Sequence, residues 1–392
     1  MMQNNAHLSR ESRGLLSKVC AIAAMSIIVL SCGDARYLSE SSITSRYRER
    51  YRLNQVARFL AGMQVDASSP YYATTISESY QRYRRHIDEL WERYRSRNLS
   101  AIETWRRVNI KERGDGVVIY PFSGPDILNA VVFFPNAEEY VMIGLEDPGT
   151  VPDPLAFQPY AIHNELQKVR HALRTILQLN LFRTAEMYFD MRPESLSSIT
   201  GIMMFFLARM EYDILSVRPV YIDGKGTLSA VPMSDPDAKG VEVVFRRGKG
   251  APVQTARFFS VDLSDSSLSR KRGVASFLAA RKGFVTFIKS ASYLLSYDNF
   301  RICRSYLLAG SRFILQEDSG IPYRFFAPGE WRISLYGTYR VLPIFANRFQ
   351  RDLNDALKQD GRGPIPFSFG YGFSPNNSNL MAAERIPPKR YD

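Results

Sequence analysis

Thiols and imidazoles are scarce in this chain. Its 392 residues include three cysteines and four histidines, and none of their spacings matches a zinc site, so no structural metal is expected. Cys20 and Cys32 both lie near the start. That leaves Cys303 alone in the body and excludes an intramolecular disulfide there. Cys303 falls in an apolar helical run with Phe300, Ile302, Tyr306, Leu307 and Leu308, a setting in which a free cysteine is a small buried hydrophobe. Long apolar runs are missing too. The stretch from Val19 to Leu30 has twelve residues, against the roughly twenty that a spanning helix needs. Phosphate-binding and nucleophile motifs are also absent. The segment Gly224-Lys225-Gly226-Thr227 lacks the spacing of a phosphate-binding loop and reads as a turn. The segment Pro121-Phe122-Ser123-Gly124-Pro125 is not the G-x-S-x-G elbow of hydrolases. Ser123 with His163 and a carboxylate would make a triad only by coincidence of folding.

What is present begins at Cys32. Arg10, Arg13 and Lys18 precede the apolar run, and Val29-Leu30-Ser31-Cys32-Gly33 follows. A charged start, a short apolar run, a small residue and then cysteine form a bacterial lipoprotein signal. Leu30 stands where a smaller residue is more usual. The expectation is a signal over residues 1–31 and lipid, such as palmitate, on Cys32, with the protein held on an envelope membrane and facing away from the cytoplasm. An ordinary secretory signal with a chance cysteine is the alternative.

The whole chain carries +12, and removal of Arg10, Glu11, Arg13 and Lys18 with the signal leaves +10. On an exported protein that excess points to anionic envelope components, lipid head groups or acidic polysaccharide, and no nucleic-acid partner is expected. A basic surface with no dedicated partner is equally compatible with it.

Residues 32–55 are rich in Ser and Arg and read as a tether. Residues 56–114 read as an N-terminal helical segment. In it Tyr80, Tyr83, Ile87, Leu90, Trp91 and Tyr94 recur at three- and four-residue steps, the core face of one helix. Arg82, Arg84, Arg85, Arg95 and Arg97 take the solvent side. Residues 115–392 read as one α/β domain. Gly116 to Tyr120 is a strand, the turn over Pro121–Asp126 feeds a helix, and Tyr140 to Leu145 is a second strand. That is the strand–helix–strand unit of a parallel sheet. Val241 to Phe245 and Thr255 to Val261 flank Arg247-Gly248-Lys249-Gly250 and predict an antiparallel hairpin insertion at about 223–262. Strands are expected again at Phe284 to Lys289, Phe313 to Gln316 and Trp331 to Tyr336. From Gly361 the chain reads as loop. The predicted fold class is therefore α/β, a Rossmann-like, mainly parallel sheet with an antiparallel insertion and an N-terminal helical segment.

In open α/β sheets ligands bind beyond the carboxyl ends of the strands. Ser123, Gly124 and Asp126 stand at the first such end, Glu146 at the second, and Asp318 beyond a later one. These five are the candidate ligand-binding residues. Lys289, Ser290 and Ser292 end another strand near the same rim. A glycine-containing turn followed by an acid after the next strand resembles a distant version of the cofactor site of S-adenosylmethionine-dependent methyltransferases. It departs from that pattern in having one glycine between two prolines, which lack N–H donors. A turn that is rigid for structural reasons fits the same residues, and no cofactor is expected.

The blocks YPFSGPD, FFPNAEEYVMIGLED, FILQEDSGIPYRFF and WRISLYG together resemble a family of uncharacterised bacterial exported proteins and lipoproteins. The resemblance covers roughly residues 115–150 and 284–375. It implies that the blocks form one unit, with the Ser123–Asp126 turn near the Asp318–Pro322 loop, and it carries no activity. Two readings remain: a non-enzymatic envelope module that binds a ligand or partner at the rim, and an envelope enzyme on a degenerate methyltransferase-like scaffold using Asp126, Glu146 and Asp318.

Overall fold

The computed structural model describes residues 40–110, 115–179, 192–372 and 374–387. The signal expected over 1–31 and Cys32, the expected lipid acceptor, lie outside the described residues. The chain divides into two compact units between Arg48 and Glu49. Of the first unit, residues 40–48 are described and are helical. All that follows concerns the second.

The helix Glu40–Leu60 overlaps the span read as a tether. The body begins inside it, because Leu53, Val56, Ala57 and Leu60 recur at helical spacing and are buried. Asn54 fixes the helix to the sheet by donating to the Ile214 carbonyl at 2.8 Å and accepting from the Ile214 N–H at 3.0 Å. The helix Glu78–Tyr94 starts at Ser77, whose side chain accepts from the Tyr80 N–H. Its six apolar-face residues, Tyr80 to Tyr94, are all buried.

The sheet has ten strands: β1 Gly116–Tyr120, β2 Ala137–Gly144, β3 Asp213–Ile222, β4 Leu228–Ser229, β5 Ala238–Arg246, β6 Gln254–Ser260, β7 Phe284–Ile288, β8 Ser311–Gln316, β9 Trp331–Gly337 and β10 Asn379–Arg385. Their spatial order is β4-β3-β5-β6-β2-β1-β7-β8-β10-β9. The class is α/β and the sheet is mixed. The centre is parallel, through β6–β2, β2–β1, β1–β7 and β7–β8. Both flanks are antiparallel, through β4–β3, β3–β5 and β5–β6 on one side and β8–β10 and β10–β9 on the other. A mainly parallel sheet is therefore corrected to a mixed one with more antiparallel than parallel pairings.

Two features produce the difference. The hairpin near 223–262 is built into the sheet, because β6 pairs antiparallel with β5 and parallel with β2. The C-terminal stretch read as loop contains β10, which slots between β8 and β9. Both sheet faces are covered. Along β1, Val118 and Tyr120 enter one apolar cluster and Ile119 the other, the alternation of a buried strand. The parallel centre brings the carboxyl ends of β2, β1, β7 and β8 to one edge.

Candidate functional site

The turn after β1 is a structural corner tied by hydrogen bonds to the end of β2. Ser123 donates its N–H to the Ile143 carbonyl at 2.8 Å, and its Oγ bonds the carbonyls of Gly124 at 2.9 Å and Ile143 at 3.3 Å. These bonds tie the β1 turn to the end of β2 and use the hydroxyl. Gly124 adopts φ +51°, a left-handed conformation that glycine takes readily. Asp126 caps the helix Ile127–Phe133, accepting from the Asn129 N–H at 3.2 Å. It also accepts from the Asn129 Nδ2 at 2.9 Å, the Tyr120 hydroxyl at 2.9 Å and Lys289 Nζ at 2.8 Å. Its carboxylate is thereby satisfied inside the protein, with no exposed surface. Pro121 and Pro125 have no N–H, and the Ser123 and Asp126 amides are bonded within the chain. The turn therefore offers a phosphate few free donors.

Glu146 lies past the end of β2, and its carboxylate presses over Gly144, where a Cβ would collide with it. Cys303 is buried, and burial pushes its thiol up to about 12, so it is not a thiolate nucleophile.

A second cluster gathers at the end of β8. Glu317 accepts from the Ser290 N–H at 2.9 Å and from the Ser319 hydroxyl. Asp318 accepts from the Tyr293 hydroxyl and from Asn379 Nδ2 at 2.6 Å, and its N–H donates to Asn379 Oδ1 at 3.0 Å. Gln350 Nε2 donates to the Asp318 carbonyl at 2.7 Å. Both carboxyls are buried. Burial and the neighbouring Asp318 raise Glu317 well above the usual carboxylate range. Burial also raises Asp318, and the Tyr293 and Asn379 donors oppose it. Asp318 in turn helps hold the Tyr293 hydroxyl protonated, after burial. Beside this cluster lies a narrow space of about 10 Å³, little more than one water position, lined by Asp318, Gln350, Asn379, Leu353 and Leu357. Its amides are occupied: Gln316 bonds Ile321 at both ends, Gln350 bonds Tyr323 and Asp318, and Asn379 bonds Asp318.

The turn after β7 joins the two clusters. Lys289 reaches back to Asp126, while Ser290 N–H and Ala291 N–H donate to Glu317 and to Ser319 Oγ at 2.8 Å. Asp126 and Asp318 thus belong to one hydrogen-bonded rim across β1, β7 and β8. The hydrogen bonds of Ser123 stay within the β1 turn and the end of β2. Three residues of the β7 turn hold left-handed backbones, Ser290 at φ 55°, Ser292 at 52° and Tyr293 at 56°, and Phe122 after β1 joins them at 59°. None is glycine, so each is a strained position. The Ser290 Oγ is buried with no hydrogen-bond partner. Ser292 Oγ lies 2.7 Å from the Tyr371 hydroxyl, which donates to the Ser290 carbonyl at 3.2 Å. The Phe345 ring packs on Tyr293 and Tyr371, with centroids 5.0 and 5.3 Å away. Gly370 lies against Glu317, where at φ +58° a Cβ would meet the Glu317 side chain. Ser290, Ser292, Phe345 and Tyr371 are half-buried and open to solvent on one side.

Sequence reading reached Lys289, Ser290 and Ser292 by their place at a strand end. It also placed Glu317 in the acidic strand end Glu317-Asp318-Ser319-Gly320, able to join Asp126 and Glu146 around one cleft. It missed Tyr293, Phe345, Tyr371, Asn379 and Gln350 as members of this group, which share no motif. Comparison with family models, with curated proteins and with solved structures finds no match for this chain.

Proposed function

We propose that this is a lipid-anchored protein of the bacterial cell envelope that binds a saccharide at the carboxyl rim of a Rossmann-like parallel centre. The observation that carries the binding site is the backbone strain at Ser290, Ser292 and Tyr293. Each left-handed non-glycine residue costs about 1–3 kcal/mol, and such residues cluster at ligand sites. The chemistry beside them supports a sugar: the Ser292 and Tyr371 hydroxyls adjoin the half-buried Phe345 and Tyr371 rings. A pyranose offers hydroxyls to the first set and an apolar C–H face to the second. The anchor rests on the Cys32 context. The carboxyls Glu317 and Asp318 hold the β7 turn in place from behind, and Asp126 does so through Lys289.

The test is a thermal-shift screen of the full chain against neutral sugars, sugar acids, nucleotides and divalent cations. A saccharide-specific rise in melting temperature is expected, reduced in Tyr371→Phe and Phe345→Ala. A response to nucleotides alone, or no response to any saccharide, contradicts the reading.

A further inference from the structure

Far along the chain from the rim, the helices Glu78–Tyr94 and Pro159–Leu179 pack against each other. The Asp153 charge acts on Tyr71, just before the first helix, and Arg170 and Arg174 act on His86 further along it. The segments that lead into the two helices therefore stand near each other. With Tyr80, Tyr83, Ile87, Leu90, Trp91 and Tyr94 buried, the opposite stripe of the first helix carries Arg82, Arg85, His86, Glu89 and Arg93.

Carboxylates neutralise only part of this surface. Arg82 pairs with Glu78, Arg84 and Arg209 with Asp88, Arg95 with Glu92 and Lys168 with Glu165. Among the described residues no carboxylate pairs with Arg85, Arg93 or Arg170, and Glu89 is the acid that stands beside His86. At the leading ends of the helices the surface turns apolar: Tyr72 is 39 % exposed, Ile76 64 %, Leu155 57 % and Tyr160 80 %. Large side chains that exposed gain little from the fold and are available to a partner.

We propose that this face docks on an anionic phospholipid surface, with the Ile76, Leu155 and Tyr160 side chains entering the head-group region and Arg85, Arg93 and Arg170 meeting lipid phosphates. Apolar knobs followed by unmatched guanidiniums reproduce the division of a membrane interface, where an apolar or aromatic tip sits below the phosphates and the cation at their level. A soluble acidic polysaccharide would use the arginines and leave the knobs in water. The face orients the body on the membrane and does not depend on the saccharide site.

The experiment places a reporter on the face itself, because the N-terminal apolar run binds vesicles by its own means. The full chain carrying Tyr160→Trp is mixed with vesicles of phosphatidylcholine with and without phosphatidylglycerol, brominated in the acyl chains, and tryptophan quenching is read. Sedimentation of the same vesicles reports attachment by the N-terminal segment separately. Quenching is expected in the anionic vesicles, with loss in about 0.5 M salt, where the Debye length shrinks to a few ångströms. Each arginine near the surface contributes roughly five-fold to partitioning, so Arg85→Glu/Arg93→Glu/Arg170→Glu lowers it by about two orders of magnitude or more. The triple lysine variant retains quenching, which separates loss of charge from loss of fold. Equal quenching in neutral vesicles, unchanged quenching after charge reversal, or no quenching in any vesicle overturns the proposal.

Discussion

Lys289 and Asp126, far apart in the chain, form an ion pair of 2.8 Å in which each side chain is only 1 % exposed. The pair joins the end of β7 to the helix cap after β1. It is workable because Tyr120 and Asn129 supply further donors to the same carboxylate. A buried pair adds little net stability, yet loss of one partner strands the other charge at a cost of about 3–5 kcal/mol. Lys289→Met and Asp126→Asn are each expected to lower the urea midpoint by that order. The double variant is expected to lose much less than the sum of the two. Additive losses would show that the two groups are not coupled.

Glu317 gives stability an unusual pH dependence. Its carboxyl is raised in the folded protein by burial and by Asp318. The contribution is thus fully present below the unfolded pKa, near 4.3 on the order of model peptides, and is lost as pH rises toward the folded value. Glu317→Gln keeps an acceptor for Ser290 and Ser319 and replaces the acid proton with an amide donor. Its stability relative to the parent is expected to grow with pH above about 4.5, by up to roughly 1.4 kcal/mol per unit. Urea midpoints of both proteins at a series of pH values measure this. A difference that stays constant with pH would mean that Glu317 is not held protonated.

The anchor has its own measurement. Cys32→Ala is expected to abolish incorporation of labelled fatty acid into the chain and to shift mature protein from the membrane to the soluble fraction. Unchanged labelling would remove the lipid reading.

Local pattern made much of this fold legible. The apolar face of Tyr80 to Tyr94 is the buried face, and Gly116 to Tyr120 is β1 to the residue. Those segments carry strong periodicity and the residue types their elements favour. The strand β10 was illegible for the opposite reason. Asn379–Arg385 reads NLMAAER, a stretch without β-branched residues and rich in helix formers. It is a strand because β8 and β9 offer it bonding edges on both sides, and tertiary context overrides propensity. The same limit hid the role of β6, whose sequence shows a hairpin strand and gives no sign of its second, parallel partner β2. At the rim, Asp126 stood out by its place beyond a strand end, but its link to Lys289 depends on the neighbouring positions of β1 and β7.

The strained turn supplies the most direct measurement of the binding reading. Ser290 has φ 55° and a buried hydroxyl without a partner, so Ser290→Gly relieves the backbone and removes an unsatisfied group. Melting temperature of the parent and of Ser290→Gly is measured with and without the saccharide that shifts the parent. The expected result is a free protein stabilised by about 1 kcal/mol together with loss of the saccharide shift. A destabilised variant, or one that keeps the full shift, would contradict the assignment of this turn to ligand binding.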